Sequence, residues 1–102
     1  MIDERWIKNR INAGEYVYSR HGDNERQQDN LFLKEVEEAL RQGNVLEQYS
    51  DTGRGESCLV VGFTNTGKPV HIVCGGTDDR VIVITVYIPK PPKFKTPYSR
   101  GD

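Results

Sequence analysis

Two histidines stand in this 102-residue chain, and each has polar company suited to phosphate chemistry. His21 lies in the stretch YVYSRHGDNER, directly after Ser19 and Arg20 and five residues before Arg26. His71 lies in PVHIVCG, and the later apolar run RVIVITVYI carries Thr85 and Tyr87. An imidazole titrates near neutral pH, so two of them can supply a base for a ribose 2′-hydroxyl proton and an acid for the leaving 5′-oxygen. An arginine fork can hold phosphate oxygens and offset the charge that builds on the phosphorane. The expected catalytic set is therefore His21, His71, Arg26, Thr85 and Tyr87, with the base and acid roles unassigned between the histidines. Arg26 or Arg20 would clamp the phosphate, and Thr85 and Tyr87 would orient it or a histidine. Ser19, Arg20, Lys93 and Lys95 complete the set as expected substrate-binding residues. Each residue also has an ordinary structural use: threonine and tyrosine favour strands, and a lone histidine on a half-exposed face is usually a satisfied polar group.

Other chemistries fit less well. His71 and Cys74 are three apart in an extended run and face opposite ways, and neither a C-x-x-C pair nor an H-E-x-x-H helix occurs. No metal and no cofactor are expected. GFTNTGK lacks the spacing of a phosphate loop, and no serine sits in a nucleophile elbow. Cys58 and Cys74 lie inside apolar runs, the setting of buried small hydrophobes rather than of nucleophiles.

The formal net charge of −1 and a pI near 6.1 give no global footprint for nucleic acid, which leaves only a local patch. The C-terminal PKPPKFKTPYSR interleaves Lys90, Lys93, Lys95 and Arg100 with Phe94 and Tyr98, a pattern that can track a single-stranded backbone and stack bases. Its plainer reading is a solvated, proline-stiffened terminus. With 35% hydrophobic and 28% charged residues, the chain reads as a globular domain. It has no apolar run of bilayer length, and MIDERWIKNR has no h-region, so a cytoplasmic protein without a membrane partner is expected.

These residues need elements to hold them. Residues 3–13 read as a helix closed by Gly14, and EYVYS as a short strand. RHGDNERQQD is polar and reads as a loop or the start of a helix. NLFLKEVEEALRQG is the clearest helix, with Phe32, Val36, Ala39 and Leu40 on one face, Asp29 or Asn30 as its cap and Gly43 at its end. NVLEQYS, SCLVVGFT, PVHIVCG and RVIVITVYI then read as strands of an antiparallel meander. The fold class expected is α+β: two N-terminal helices, then a meander sheet of about four strands with one helix on one face. Residues 1–95 form one domain in this reading, and 96–102 a flexible tail. Strict alternation in the last strand sets Ile82, Ile84, Val86 and Ile88 toward the helix, and Val81, Val83, Thr85 and Tyr87 on the other side with His71.

The blocks Y-x-Y-S-R-H, C-L-V-V-G-F-T, G-K-P-V-H-I-V and V-I-V-I-T-V-Y-I-P together resemble the small prokaryotic family called domain of unknown function 4258, over roughly residues 16–94. That family usually shows His-Ala-x-x-Arg-Met-x-x-Arg after its first strand. Here the run is H-G-D-N-E-R-Q-Q-D-N, with Gly22 in place of the alanine and Arg26 its one arginine. The family carries no settled biochemical function; its layout is similar, as fold-level analogy, to that of RelE-like and barnase-like ribonuclease toxins, and RNA and a cognate antitoxin are the expected partners on that analogy. The leading expectation is a metal-independent, toxin-type endoribonuclease. The alternative is a non-catalytic protein–protein interaction domain or a degenerate toxin relative, with strand addition at a sheet edge as a route to a partner or a homodimer.

Overall fold

The computed structural model describes all residues except 1, 52, 54, 78 and 102. Its elements run α1 (Glu4–Asn12), β1 (Tyr16–Tyr18), α2 (Arg20–Gln28), α3 (Leu33–Gln42), β2 (Asn44–Tyr49), β3 (Ser57–Phe63), β4 (Pro69–Gly76), β5 (Val81–Tyr87), β6 (Phe94–Thr96) and β7 (Ser99–Arg100). Five strands form one sheet in the order β1-β5-β4-β3-β2. Strands β2 to β5 are the antiparallel meander that the turn spacing predicts, and β1 joins parallel to β5. The class is α+β, but the described residues hold three helices, and both α1 and α3 pack on the same sheet face.

Helix α1 starts where the Asp3 carboxylate accepts from the Arg5 N–H at 2.8 Å, and its i, i+4 pair Ile7 and Ile11 is buried. Helix α3 buries Val36, Ala39 and Leu40, as its period dictates. Phe32 leaves the expected apolar face. Asn30 takes a positive φ of 55°, the helix begins at Leu33, and Phe32 becomes an N-cap residue that is 74% exposed. Leu31 fills the core in its place. The N-cap is held by the Glu35 carboxylate, which accepts from the Phe32 N–H at 2.8 Å, rather than by Asp29 or Asn30.

Of the two readings open for RHGDNERQQ, loop or helix, the chain takes the helix, and its role explains its polar composition. Strand β1 pairs with only the first part of β5. Beyond it, α2 lies along the same β5 edge and its side chains satisfy that edge. Ser19 caps α2 by accepting from the Gly22 N–H at 3.0 Å and donates to the Ile84 carbonyl at 3.0 Å. Glu25 accepts from the Val86 N–H at 3.2 Å, and Asp29 from the Ile88 N–H at 2.8 Å. The helix comes so close that a Cβ on Gly22 would lie 2.6 Å from the Val83 carbonyl oxygen.

Strict alternation in β5 also fails. Val73 pairs with Thr85 and Cys74 with Val83, so Ile84 is an extra, bulged residue. Val81 and Val83 therefore face the helices before the bulge and Val86 after it, and all three are buried. Thr85 and Tyr87 turn to the opposite face, in register with Val73 and His71.

That opposite face is covered too. Residues 94–100, within the stretch expected to be a surface tail, form the β6–β7 hairpin. Phe94 is buried, and the hairpin pairs only within itself, not with the five-stranded sheet.

The close approach of α3 to β3 depends on Gly62, where a Cβ would meet the Ala39 carbonyl oxygen at 2.0 Å. Gly62→Ala should destabilise the protein by roughly 1–3 kcal/mol, the usual cost of overpacking. A urea melt that left the midpoint unchanged would show that α3 can move away freely.

Candidate functional site

The sheet face away from the helices gathers ionisable side chains from four elements. His71 on β4 sits in register between Val61 on β3 and Tyr87 on β5. It is fully buried. The Pro97 carbonyl, which can only accept, lies 2.7 Å from Nε2, so Nε2 carries the proton. Nδ1 is then the acceptor for the Tyr87 hydroxyl at 3.2 Å. The ring is also met edge-on by Phe94 at 4.3 Å between centroids. This is a neutral imidazole with both nitrogens satisfied.

Around it, Glu47 on β2 shares the face, one strand beyond Leu59. Arg100 on β7 donates to both Glu47 carboxylate oxygens, at 2.9 Å from Nε and 2.7 Å from Nη2, and the Tyr49 hydroxyl donates to the same carboxylate at 2.5 Å. Arg100 also lies over the Phe94 ring, and the Lys93 ammonium over the Tyr87 ring, each at 4.9 Å.

The electrostatics follow from burial and this pairing. Burial pushes the His71 pKa below the usual 6.5, and Arg100 and Lys93 push the same way against Glu47 and the Pro97 bond. Hydrogen bonds from Arg100 and then Tyr49 hold Glu47 below the ordinary carboxylate value. Tyr49 is pushed up to about 12 by burial and by its bond to Glu47, and burial raises Tyr87 as well.

The expected site residues fall into two groups, one on the sheet face and one on α2. His71 and Tyr87 meet, and Thr85 shares their face in register. His21 is on α2 with its side chain 67% exposed, and its Nε2 pairs with Glu25 at 3.1 Å. His21 and His71 share no hydrogen-bond partner: Glu25 pairs with one, and Tyr87 and the Pro97 carbonyl with the other. The Arg26 guanidinium holds Asp23 at 2.8 Å and the Leu31 carbonyl at 2.8 Å, over the Tyr18 ring. Ser19 is the α2 cap, Arg20 is exposed on that helix, and Lys95 is exposed on β6. Cys58 and Cys74 are buried opposite one another in register, and burial pushes the Cys58 thiol up to about 11 and raises Cys74. No three metal-ligating side chains cluster among the described residues, and no described helix is long and apolar enough to cross a membrane.

Sequence reasoning missed Glu47, Tyr49 and the site role of Arg100. The two-residue spacing of Glu47 and Tyr49 on a strand was a usable signal, because it puts both on one face. Nothing local signals that Arg100 folds back fifty-three residues to meet them.

Residues 18–88 match the family described as Domain of unknown function (DUF4258). The chain belongs to that family. The matched DUF4258 region holds Glu47, Tyr49, His71 and Tyr87, and it ends before Phe94, Pro97 and Arg100. No curated protein and no solved structure matches the chain.

Because folding lowers the proton affinity of His71, its stabilising contribution is whole above the unfolded value of 6.5 and is lost as the pH falls toward the lower folded value. Urea-melt midpoints should therefore drop between about pH 7.5 and 5.5, before carboxylates protonate, and the drop should be smaller in His71→Asn. Parallel curves for parent and variant would remove His71 as the cause.

Proposed function

We propose that this chain is a non-catalytic protein–protein interaction domain. One observation carries the reading: the sheet face that would have to receive a substrate already holds a peptide segment, residues 94–100, and both His71 nitrogens are used there. Two more of the expected catalytic groups are also engaged, His21 with Glu25 and Arg26 with Asp23 and Leu31. A protein partner, whether a cognate antitoxin, another protein or a second copy, fits this reading in a cytoplasmic setting. Glu4 takes one edge group of β2, the Val45 N–H, at 2.6 Å, and α2 takes the part of β5 that lies beyond β1.

A second reading, metal-independent RNA cleavage of the toxin type, draws support from one observation. Glu47, His71 and Arg100 place a carboxylate, an imidazole and a guanidinium on one face, the groups needed for base, acid and phosphate clamp. The helix-on-antiparallel-sheet layout is similar to RelE-like and barnase-like toxins, as fold-level analogy. In that reading the hairpin lifts to admit RNA, with Lys93 and Lys95 as backbone contacts.

Incubation of a mixed RNA pool with the folded parent in EDTA decides between them. The interaction-domain reading expects no cleavage by the parent, His21→Ala or His71→Ala. Cleavage that survives His21→Ala but disappears in both Glu47→Gln and His71→Ala would replace it with the ribonuclease reading.

A further inference from the structure

The hairpin sits on the sheet face as a docked ligand sits in a groove. It makes three side-chain or carbonyl anchors at even spacing: the Phe94 ring packed against His71, the Pro97 carbonyl on His71 Nε2, and the Arg100 fork on Glu47. Phe94 is buried between the His71 ring and the Arg100 guanidinium. No backbone ladder ties β6 or β7 to the main sheet. The segment is joined to β5 through Pro89, Pro91 and Pro92, and the family match stops at residue 88, just before this linker.

Charge points the same way. Residues 1–88 carry 10 basic and 14 acidic side chains, whereas residues 89–102 carry four basic and one acidic. A basic segment therefore docks on an acidic body, and the Arg100–Glu47 pair is the local expression of that match.

Resting on the interaction-domain reading, we propose that Glu47, Tyr49, His71 and Tyr87 form a recognition groove for a Phe-x-x-Pro-x-x-Arg hairpin, and that the segment it accepts in trans is the C-terminal stretch of a second copy of this chain. In a single chain the segment fills its own groove, because a short tether gives it an effective concentration of about millimolar. Exchange between copies then needs only the detachment of the hairpin, with the sheet left intact.

The test uses the full-length Phe94→Ala/Arg100→Ala variant, which weakens the tethered segment and leaves the groove residues in place. The probe is a fluorescent synthetic peptide of residues 89–102, followed by anisotropy. The variant should bind it at least about tenfold more tightly than the parent, in which the tethered copy competes. A peptide carrying the same two alanines should not bind. Equal binding by parent and variant, or equal binding of the two peptides, overturns the proposal. If the double variant does not fold, Arg100→Glu is read in the same way. Failure of both to fold would make the hairpin a fixed part of the core and also overturn it. The outcome is separate from RNA cleavage: absent peptide binding with absent cleavage removes the groove and leaves the interaction-domain reading standing.

Discussion

Main-chain hydrogen bonds along the outer edge of β5 are the constraint on which the rest of the structure depends. A strand edge left open costs unsatisfied N–H and C=O groups and invites pairing with another chain. Here β1 covers three residues and then stops, and α2 takes over with Ser19, Glu25 and Asp29. This solution demands a helix whose sheet-facing side is polar and small. Hence the odd composition of RHGDNERQQD: Gly22 where the backbones nearly touch, and carboxylates where a third strand would have put carbonyls.

The same edge explains how β5 can carry a bulge at Ile84. Side-chain acceptors on a helix follow an irregular strand more readily than a regular ladder would. The bulge in turn assigns faces. It sends Val81, Val83 and Val86 to the helical core and Thr85 and Tyr87 to the side of His71. A histidine in the middle strand then acquires a tyrosine hydroxyl on one nitrogen, and the hairpin supplies a carbonyl for the other.

Burying this imidazole is affordable only because it stays neutral and fully bonded; a charged ring beside Arg100 and Lys93 in a water-poor site would be unfavourable. The hairpin thus does two things. It completes the hydrogen bonding of His71, and it neutralises Glu47 through Arg100. A DUF4258 domain stripped of these partners would expose a carboxylate, an imidazole and two tyrosine hydroxyls on one surface. That makes the C-terminal segment the natural place to look for what this face recognises.

Residue types and periods alone determined the meander, the burial of Val36, Ala39 and Leu40 along α3 and the burial of both cysteines, because each follows from local alternation or from side-chain hydrophobicity. Helix α2 was hidden because its buried side is made of glycine and hydrogen-bond acceptors, which leave no apolar stripe. Phe32 was misplaced because a turn at Asn30 resets the helical phase. The bulge at Ile84 cannot be read from a run of valines and isoleucines, since every register of such a run looks equally apolar. Only the tertiary structure decided that His21 and His71 have separate partners and that Glu47 meets Arg100, because contacts between residues distant in sequence depend on how the chain returns to the sheet.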